Sequence, residues 1–257
     1  PVPNFNALEG QGVWKKMSTR GDERFYIAHV HDVDTVPASD IHIYFGPFEC
    51  RNVEKTQDSQ DVLDETHTIR CLTPPGVGAD LFVVVEVPGG RSRASELTFS
   101  YQSPKLTEIR ALLDGQTFRA EAPGRSGAAT LGQLAVIEGE GFGTAALAAA
   151  ASGGVEVLLD GFIPLRVWNH TDRAMTVEIP RGDGTNHTVE MIVAHQSSSI
   201  ETPNFRMRYA APSVTSVSPQ APSAPTVGGA FVTLRGTNFG TSLVPTVMIG
   251  GQPCGCL

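Results

Sequence analysis

Apolar and polar residues alternate with a period of two along most of the chain, which is the pattern of strands that bury one face. Clusters of Gly, Pro, Asn and Asp separate the alternating segments and predict turns. No apolar run approaches the roughly 20 residues that cross a bilayer. The pattern therefore predicts an all-β protein with no membrane insertion within this chain. The predicted inward-facing positions are Ile41, Ile43, Phe45; Leu81, Val83, Val85, Val87; Leu97, Phe99, Tyr101; Val155, Val157, Leu159; Met175, Val177, Ile179; Val189, Met191, Val193; Phe205, Met207, Tyr209; and Val232, Leu234.

Two phrases from the middle of the chain recur towards its end, as expected of an internal repeat. The stretch 101–104, Tyr-Gln-Ser-Pro, parallels 209–212, Tyr-Ala-Ala-Pro, at an offset of 108 residues. The stretch 139–143, Gly-Glu-Gly-Phe-Gly, parallels 236–240, Gly-Thr-Asn-Phe-Gly, at an offset of 97 residues. The unequal offsets place an insertion before residue 139, and its predicted position is the loop 121–132.

The repeats divide the chain into three predicted units, 1–103, 104–211 and 212–257. The last strand of each of the first two units runs through a Tyr and a Pro into the next unit without a flexible linker, which favours a semi-rigid rod. Unit three stops early, because Gly250–Cys254 occupies the position that Gly46–Cys50 has in unit one. We expect either that the polypeptide continues or that another chain completes unit three by strand addition.

The stretch 228–240, Gly-Gly-Ala-Phe-Val-Thr-Leu-Arg-Gly-Thr-Asn-Phe-Gly, resembles the start of an immunoglobulin-like IPT/TIG domain, a module of plexin-type receptor ectodomains, fibrocystin-like proteins and some secreted bacterial proteins. The stretches 44–50 and 69–76 resemble the cysteine-bearing half of extracellular domains of this family. Residues 1–20 depart from the pattern, because they lack the Gly-x-x-Phe phrase. The resemblance implies tandem immunoglobulin-like β-sandwiches, the third incomplete, with a role in extracellular recognition, spacing or assembly, and it implies no particular partner.

The four cysteines form no CxxC motif, and no histidine pair has zinc-finger spacing, which argues against a structural zinc site. Cys50 and Cys71 lie in different predicted strands of unit one. We expect a disulfide between them, with two free buried thiols as the alternative. A disulfide would indicate an oxidising compartment and would stabilise unit one by about 3 kcal/mol. Cys254 has no partner in the sequence and Cys256 is too near for an easy bridge, so both are predicted to be unpaired or intermolecular.

Charge and motifs exclude several function classes. The formal net charge of −8 argues against nucleic-acid binding, which needs a basic face to neutralise phosphates. The sequence contains no nucleophile elbow, zincin helix, phosphate-binding Gly loop or dinucleotide-binding fingerprint. We therefore expect a non-enzymatic protein without cofactor or metal.

Two sequons, Asn169-His-Thr and Asn186-His-Thr, lie in predicted turns and are candidate sites for N-linked glycans. Arg-Gly-Asp occurs at 20–22 and at 181–183. The triplet could bind an integrin-like receptor, but the sequence favours ordinary Gly turns in polar loops.

Two groups of residues could ligate a metal. Asp32, Asp34 and Asp40 offer the oxygen ligands that calcium prefers, but the Gly and terminal Glu of the 12-residue calcium loop are missing, which favours solvated loop acids. His29 and His31 share a predicted strand face, but no third ligand accompanies them, which favours surface histidines.

The first functional hypothesis is an extracellular structural glycoprotein, part of a surface appendage, fibril or matrix. Its expected partners are other copies of itself or neighbouring repeats, together with covalent glycans. The alternatives are a cell-surface receptor or adhesion ectodomain that binds a protein, and an accessory module of a secreted enzyme. All three predict a secreted or cell-surface location.

Overall fold

The computed structural model describes residues 4–10, 16–57, 67–96, 98–119, 127–218, 225, 227–241 and 244–255. Strands make up almost all of its regular structure, as the alternation predicts. The described strands form three successive groups along the chain, and among them no sheet contains strands from two groups. We keep the names unit one, unit two and unit three for these groups, and their boundaries at 103 and 211 stay a prediction.

Unit one is built from two antiparallel sheets. Its described strands are β1 (Asn4–Gly10), β2 (Arg24–His31), β3 (His42–Phe45), β4 (Phe48–Glu49), β5 (Arg51–Gln57), β6 (His67–Leu72), β7 (Leu81–Val87), β8 (Gly90–Arg91) and β9 (Thr98–Phe99), with a 3-10 turn at Ala38–Asp40. The first sheet has the order β1-β2-β6-β5, and the second has the order β4-β3-β7-β8, with β9 also paired to β7. This is the strand arrangement of an immunoglobulin-like sandwich, with strands A, B, E and D facing C, F and G.

Unit two repeats this arrangement. Its described elements are β10 (Lys105–Ala111), β11 (Gln133–Glu140), α1 (Ala145–Ala150), β12 (Val155–Leu159), β13 (Ile163–Pro164), β14 (Arg166–His170), β15 (Ala174–Ile179), β16 (His187–Val193), β17 (Gln196–Ser197), a 3-10 turn at Ser198–Ile200, and β18 (Arg206–Met207). The sheet orders are β10-β11-β15-β14 and β13-β12-β16-β17, with β18 also paired to β16. The short helix α1 consists of strong helix formers, and it begins where the Thr144 hydroxyl accepts a hydrogen bond from the Leu147 N–H at 3.3 Å.

The core of unit one lies between its two sheets. The Phe25 ring from β2 meets the Phe45 ring from β3 edge-on, with 4.8 Å between centroids, and Phe45 contacts Phe99 at 4.3 Å. All three rings are at most 1% exposed. Burial of each such side chain contributes about 1.5–3 kcal/mol, so these aromatic contacts hold the two sheets together. The predicted fold class, all-β with tandem immunoglobulin-like sandwiches, is confirmed.

The predicted inward positions are largely confirmed. Among those that the structure describes, nearly all in units one and two are buried, and only Leu81 and Val155 are partly exposed. Leu97 lies outside the described residues. The prediction for the second strand of unit three starts too early, because that strand begins at Thr233 and therefore excludes Phe231 and Val232.

The last strands of units one and two are each fixed by a buried tyrosine. The Tyr101 hydroxyl donates to the Pro74 carbonyl at 2.9 Å, and the Tyr209 hydroxyl donates to the Pro180 carbonyl at 3.0 Å. A glycine lies under each ring, since a Cβ on Gly76 would lie 2.5 Å from the Tyr101 ring. Burial, with smaller contributions from nearby carboxylates, raises the pKa of Tyr209 to about 12. The same hydrogen bond, from a buried tyrosine hydroxyl to a proline carbonyl, therefore recurs in units one and two.

Unit three contains two described hairpins. They are formed by β19 (Ser213–Ser218) with β20 (Thr233–Thr237) and by β21 (Val247–Ile249) with β22 (Gln252–Cys254). Their positions match the first four strands of the other units.

The side chains on the inner face of unit three are exposed or only partly buried. Val214 is 52% exposed, whereas Leu106, which holds its position in unit two, is 1% exposed. Ile249 is 56% exposed, whereas the corresponding Leu159 is 2% exposed. The alternation in unit three therefore marks a core face that the described residues do not cover.

Candidate functional site

The junction between units one and two is held by a carboxylate. Asp172 lies in the turn between β14 and β15 of unit two. It accepts hydrogen bonds from the Thr19 hydroxyl at 2.5 Å and the Arg20 Nε at 2.9 Å, both in unit one. It also accepts one from the Gly143 N–H at 3.1 Å. Burial alone would raise the pKa of Asp172, but these hydrogen bonds and the Arg20 charge outweigh it, so the pKa lies below its ordinary value.

A buried glutamine forms the second contact of this junction. Gln196 begins β17 of unit two and is 5% exposed. Its Oε1 accepts from the Gly78 N–H at 3.1 Å, and its Nε2 donates to the Tyr101 carbonyl at 3.0 Å. Both partners belong to unit one. Because a buried amide without partners is costly, Gln196 favours the arrangement in which the two units meet.

A shallow cleft opens beside this junction. Its volume is about 420 Å³ and it is lined by Lys16, Gln102, Ser103, Lys105, Glu140 and Glu201. The Lys16 ammonium donates to the Ser103 hydroxyl at 2.9 Å and lies 3.7 Å from the Glu201 carboxylate. The lining therefore carries balanced charges and makes a polar contact between units one and two.

Units two and three meet at positions that correspond to those of the first junction, but different side chains make the contacts. Gly143 of unit two packs against Val77 of unit one. The corresponding Gly240 of unit three packs against Asp183 of unit two, where a Cβ added to the glycine would lie 3.4 Å from the Asp183 Cβ. The Asp183 carboxylate also accepts the Thr241 N–H at 3.2 Å. The same loop of each sandwich therefore meets the Gly-x-x-Phe-Gly turn of the next.

Both Arg-Gly-Asp triplets lie at these junctions. In the first, Arg20 pairs with Asp172 of unit two, and Asp22 pairs with Arg51 at 2.6 Å. In the second, Asp183 binds unit three as described above. These contacts favour the interpretation of the triplets as turns.

Cys50 and Cys71 form a disulfide in unit one. Strand pairing places Leu165 and Val177 at the corresponding positions of unit two, and both are buried. An apolar pair therefore replaces the disulfide in unit two. Cys254 occupies the position of Cys50 in unit three, where it is free and partly exposed, and Cys256 lies outside the described residues.

The two sequon asparagines are exposed, but only one lies in a turn. Asn169 lies within β14, so the predicted turn at this position is wrong. Asn186 lies in the loop before β16, and its Oδ1 accepts a hydrogen bond from Arg206 Nη1 at 2.7 Å. The amide nitrogen of Asn186 is the atom to which a sugar would attach, so this hydrogen bond is compatible with glycosylation.

The predicted metal candidates do not converge in the part of the chain that the structure describes. No group of three His, Cys, Asp or Glu residues that could hold a metal ion occurs there. Asp34 instead lies 3.3 Å from His67 Nδ1, and the His29 side chain lies outside the described residues. Among the described helices, none is long and apolar enough to cross a membrane.

Sequence reasoning missed the residues that hold the junction. Asp172 and Gln196 belong to no motif, and their partners lie 153 and 118 residues away in the chain. The one local signal was the repeated Gly-x-x-Phe-Gly turn, which marks where each junction forms.

Comparison with known proteins agrees with the resemblance at the end of the chain. Residues 212–257 match the IPT/TIG domain family. No curated protein sequence gives a significant match to the chain.

Several solved structures are similar to parts of this chain. The extracellular region of plexin A4, domains 1 to 8, is 14% identical, with 81% of this chain and 18% of that chain covered and a TM-score of 0.33. The surface glycan-binding protein PbSGBP-B from Prevotella bryantii is 10% identical, with 77% and 41% covered and a TM-score of 0.42. The I9-I11 tandem from titin is 10% identical, with 79% and 64% covered and a TM-score of 0.28. The chain thus spans less than two thirds of each of these proteins.

Proposed function

We propose that this chain is a non-enzymatic extracellular structural glycoprotein, whose tandem sandwiches form a semi-rigid rod within a surface appendage, fibril or matrix. Its partners in this proposal are further copies of itself or neighbouring repeats.

The junction between units one and two carries the proposal. Asp172 and Gln196 reach from unit two into unit one, and together they make four hydrogen bonds to it. Two of these bonds join buried groups, which supports a fixed direction of one unit relative to the other. A chain of domains that bound partners independently would not need such contacts, whereas a rod that transmits force or spacing needs them at every joint.

The disulfide and the sequons support an extracellular glycoprotein. A disulfide between Cys50 and Cys71 persists in oxidising compartments, and it is uncommon in the cytosol. Asn169 and Asn186 are both exposed, as acceptors of N-linked glycans must be. We therefore assign both asparagines as glycosylation sites.

Small-angle X-ray scattering of the whole chain tests the rod. We expect a rigid, extended particle for the wild-type chain, and a flexible one for the double variant Asp172→Ala, Gln196→Ala. Glu54→Ala serves as the control, because it removes an ion pair with Arg70 inside unit one and leaves the junction intact. A wild-type chain that scatters as flexibly as the double variant would contradict the proposal.

Sedimentation velocity over a wide range of concentrations tests assembly. Reversible growth beyond the monomer is expected of a rod that forms a fibre. A chain that stays monomeric throughout would favour the alternative, a receptor or adhesion ectodomain. The observation that supports this alternative is the exposure of Leu113 (97%) and Phe162 (75%) on connecting loops, where a protein partner could bury them.

A further inference from the structure

On the outer face of the first sheet of unit two, uncharged residues take three positions that are charged in unit one. Strand pairing aligns Leu134 with Arg24 of unit one, and Thr176 with Arg70. In unit one, Arg70 forms an ion pair with Glu54 across the ladder. In unit two, Asn169 occupies the position that corresponds to Glu54. The solvated ion pair of unit one is thus replaced by a sequon asparagine.

A β-bulge in β14 brings a tryptophan beside this asparagine. Val167 pairs with Val177, and Asn169 pairs with Thr176, so Trp168 is an extra residue between two ladder positions. Trp168 and Asn169 are consecutive and both exposed, whereas the residues on either side of them are partly buried. Regular alternation would turn Asn169 towards the core, so the bulge is what places both side chains on the outer face.

The indole of Trp168 is held in place and half covered. The Arg166 guanidinium lies 4.0 Å from the ring centroid, a cation–π contact that restrains the ring. The side chain is nevertheless 55% exposed. Leu134, which lies on the same face, is 38% exposed. The indole is thus restrained by a cation and still exposes more than half of its apolar surface.

We propose that the first sugar of a glycan on Asn169 packs against the exposed surface of the Trp168 indole, so that the protein's own glycan covers this part of unit two. The inference rests on the glycosylation assigned above. The occupant follows from the geometry, because the attachment atom and the exposed indole belong to adjacent residues of one bulge. The C–H face of a pyranose ring is apolar and slightly electropositive, which suits the electronegative face of an indole, and the contact removes apolar surface from water.

Attachment follows ordinary glycosyl transfer. The Asn169 Nδ2 forms a bond to C1 of a sugar carried on a lipid diphosphate and loses a proton, which the departing diphosphate takes up. The bond between C1 and the diphosphate oxygen breaks, and the lipid diphosphate leaves with the electron pair. The asparagine Oδ1 is unchanged.

Asn186 supplies an internal control. It is exposed, and its Oδ1 is held by Arg206 on a loop. No exposed large hydrophobic residue adjoins it in the described sequence around that loop. A glycan at Asn186 is therefore expected to extend into solvent.

The experiment uses the chain secreted from a eukaryotic host, with peptide mass spectrometry to measure occupancy at both asparagines. The chain contains two tryptophans, so Trp14→Phe leaves Trp168 as the only indole. Adding Trp168→Phe to this variant gives the background fluorescence. Acrylamide quenching of Trp168 is measured on the intact glycoprotein, after an endoglycosidase that leaves one sugar on each asparagine, and after complete removal by an amidase. The Asn169→Asp variant reproduces the aspartate that the amidase creates.

We expect quenching to stay low while one sugar remains, and to rise about twofold when Asn169 becomes bare or is replaced by Asp. Asn186→Gln should leave the acrylamide quenching of Trp168 unchanged. Equal quenching with and without the sugar at an occupied Asn169 overturns this inference and leaves the rod proposal standing. Low quenching of the bare protein that depends on protein concentration also overturns it, because a second copy would then cover the face. If mass spectrometry finds no glycan on Asn169, the inference is also overturned. If neither asparagine carries a glycan, the assignment of the chain as a glycoprotein is overturned too.

Discussion

Asp172→Ala is the most direct test of how units one and two are joined. The substitution removes the acceptor of two hydrogen bonds from unit one and of one from the Gly143 N–H. Thr19 is 3% exposed, so its hydroxyl would lose its charged partner in a buried place.

The expected loss can be worked out from these contacts. A hydrogen bond to a charged group contributes about 1.5–3 kcal/mol net. The Arg20 pair is half exposed on the arginine side and contributes about 0–1 kcal/mol, as surface ion pairs do. The junction should therefore be weakened by about 2–4 kcal/mol, which corresponds to roughly a 30- to 900-fold shift towards separated units.

Urea unfolding and X-ray scattering of the whole chain measure the two parts of this expectation. The free energy of unfolding should fall by about 2–4 kcal/mol if units one and two unfold together, and the radius of gyration of the folded chain should rise. Glu54→Ala, which removes an exposed ion pair within unit one, should cost less than about 1 kcal/mol. If Asp172→Ala matches this control in both measurements, Asp172 does not join the units.

Three further predictions concern acid, the disulfide and the tyrosine bond. The folded-state pKa of Asp172 lies below its ordinary value of 3.8. The stability that Asp172 contributes to the junction is therefore present above pH 3.8 and is lost as the pH falls through the folded-state pKa. Scattering between pH 6 and about pH 2 should show that wild type loses junction stability in acid more steeply than Asp172→Asn. Replacing Cys50 and Cys71 together by alanine should destabilise unit one by about 3 kcal/mol in urea unfolding, whereas reducing agent should leave the stability of that double variant unchanged. Gly182→Ala places a Cβ 2.6 Å from the Tyr209 ring and should lower the free energy of unfolding by about 1–3 kcal/mol; an unchanged value would mean that the ring has room to move.

Local pattern determined the strands and their buried faces. Alternation alone predicts that Ile43 and Val85 lie in the core, and both are fully buried. The pairing of those residues across β3 and β7 could not be read from the alternation, but the family resemblance implied the sandwich that contains it. The repeated tyrosines also marked real structure, although the carbonyl that each one binds became evident only from the fold.

Register and junctions were decided by tertiary structure. The bulge that turns Asn169 outwards depends on its pairing with β15, and the sequence around Asn169 suggested a turn instead. Asp172 and Gln196 find their partners across 153 and 118 residues. The period of two is a property of the strand backbone itself, so sequence alone fixes which side chains of a strand share a face. Which loops meet depends on how completed sandwiches stack, and that is decided only when distant parts of the chain come together.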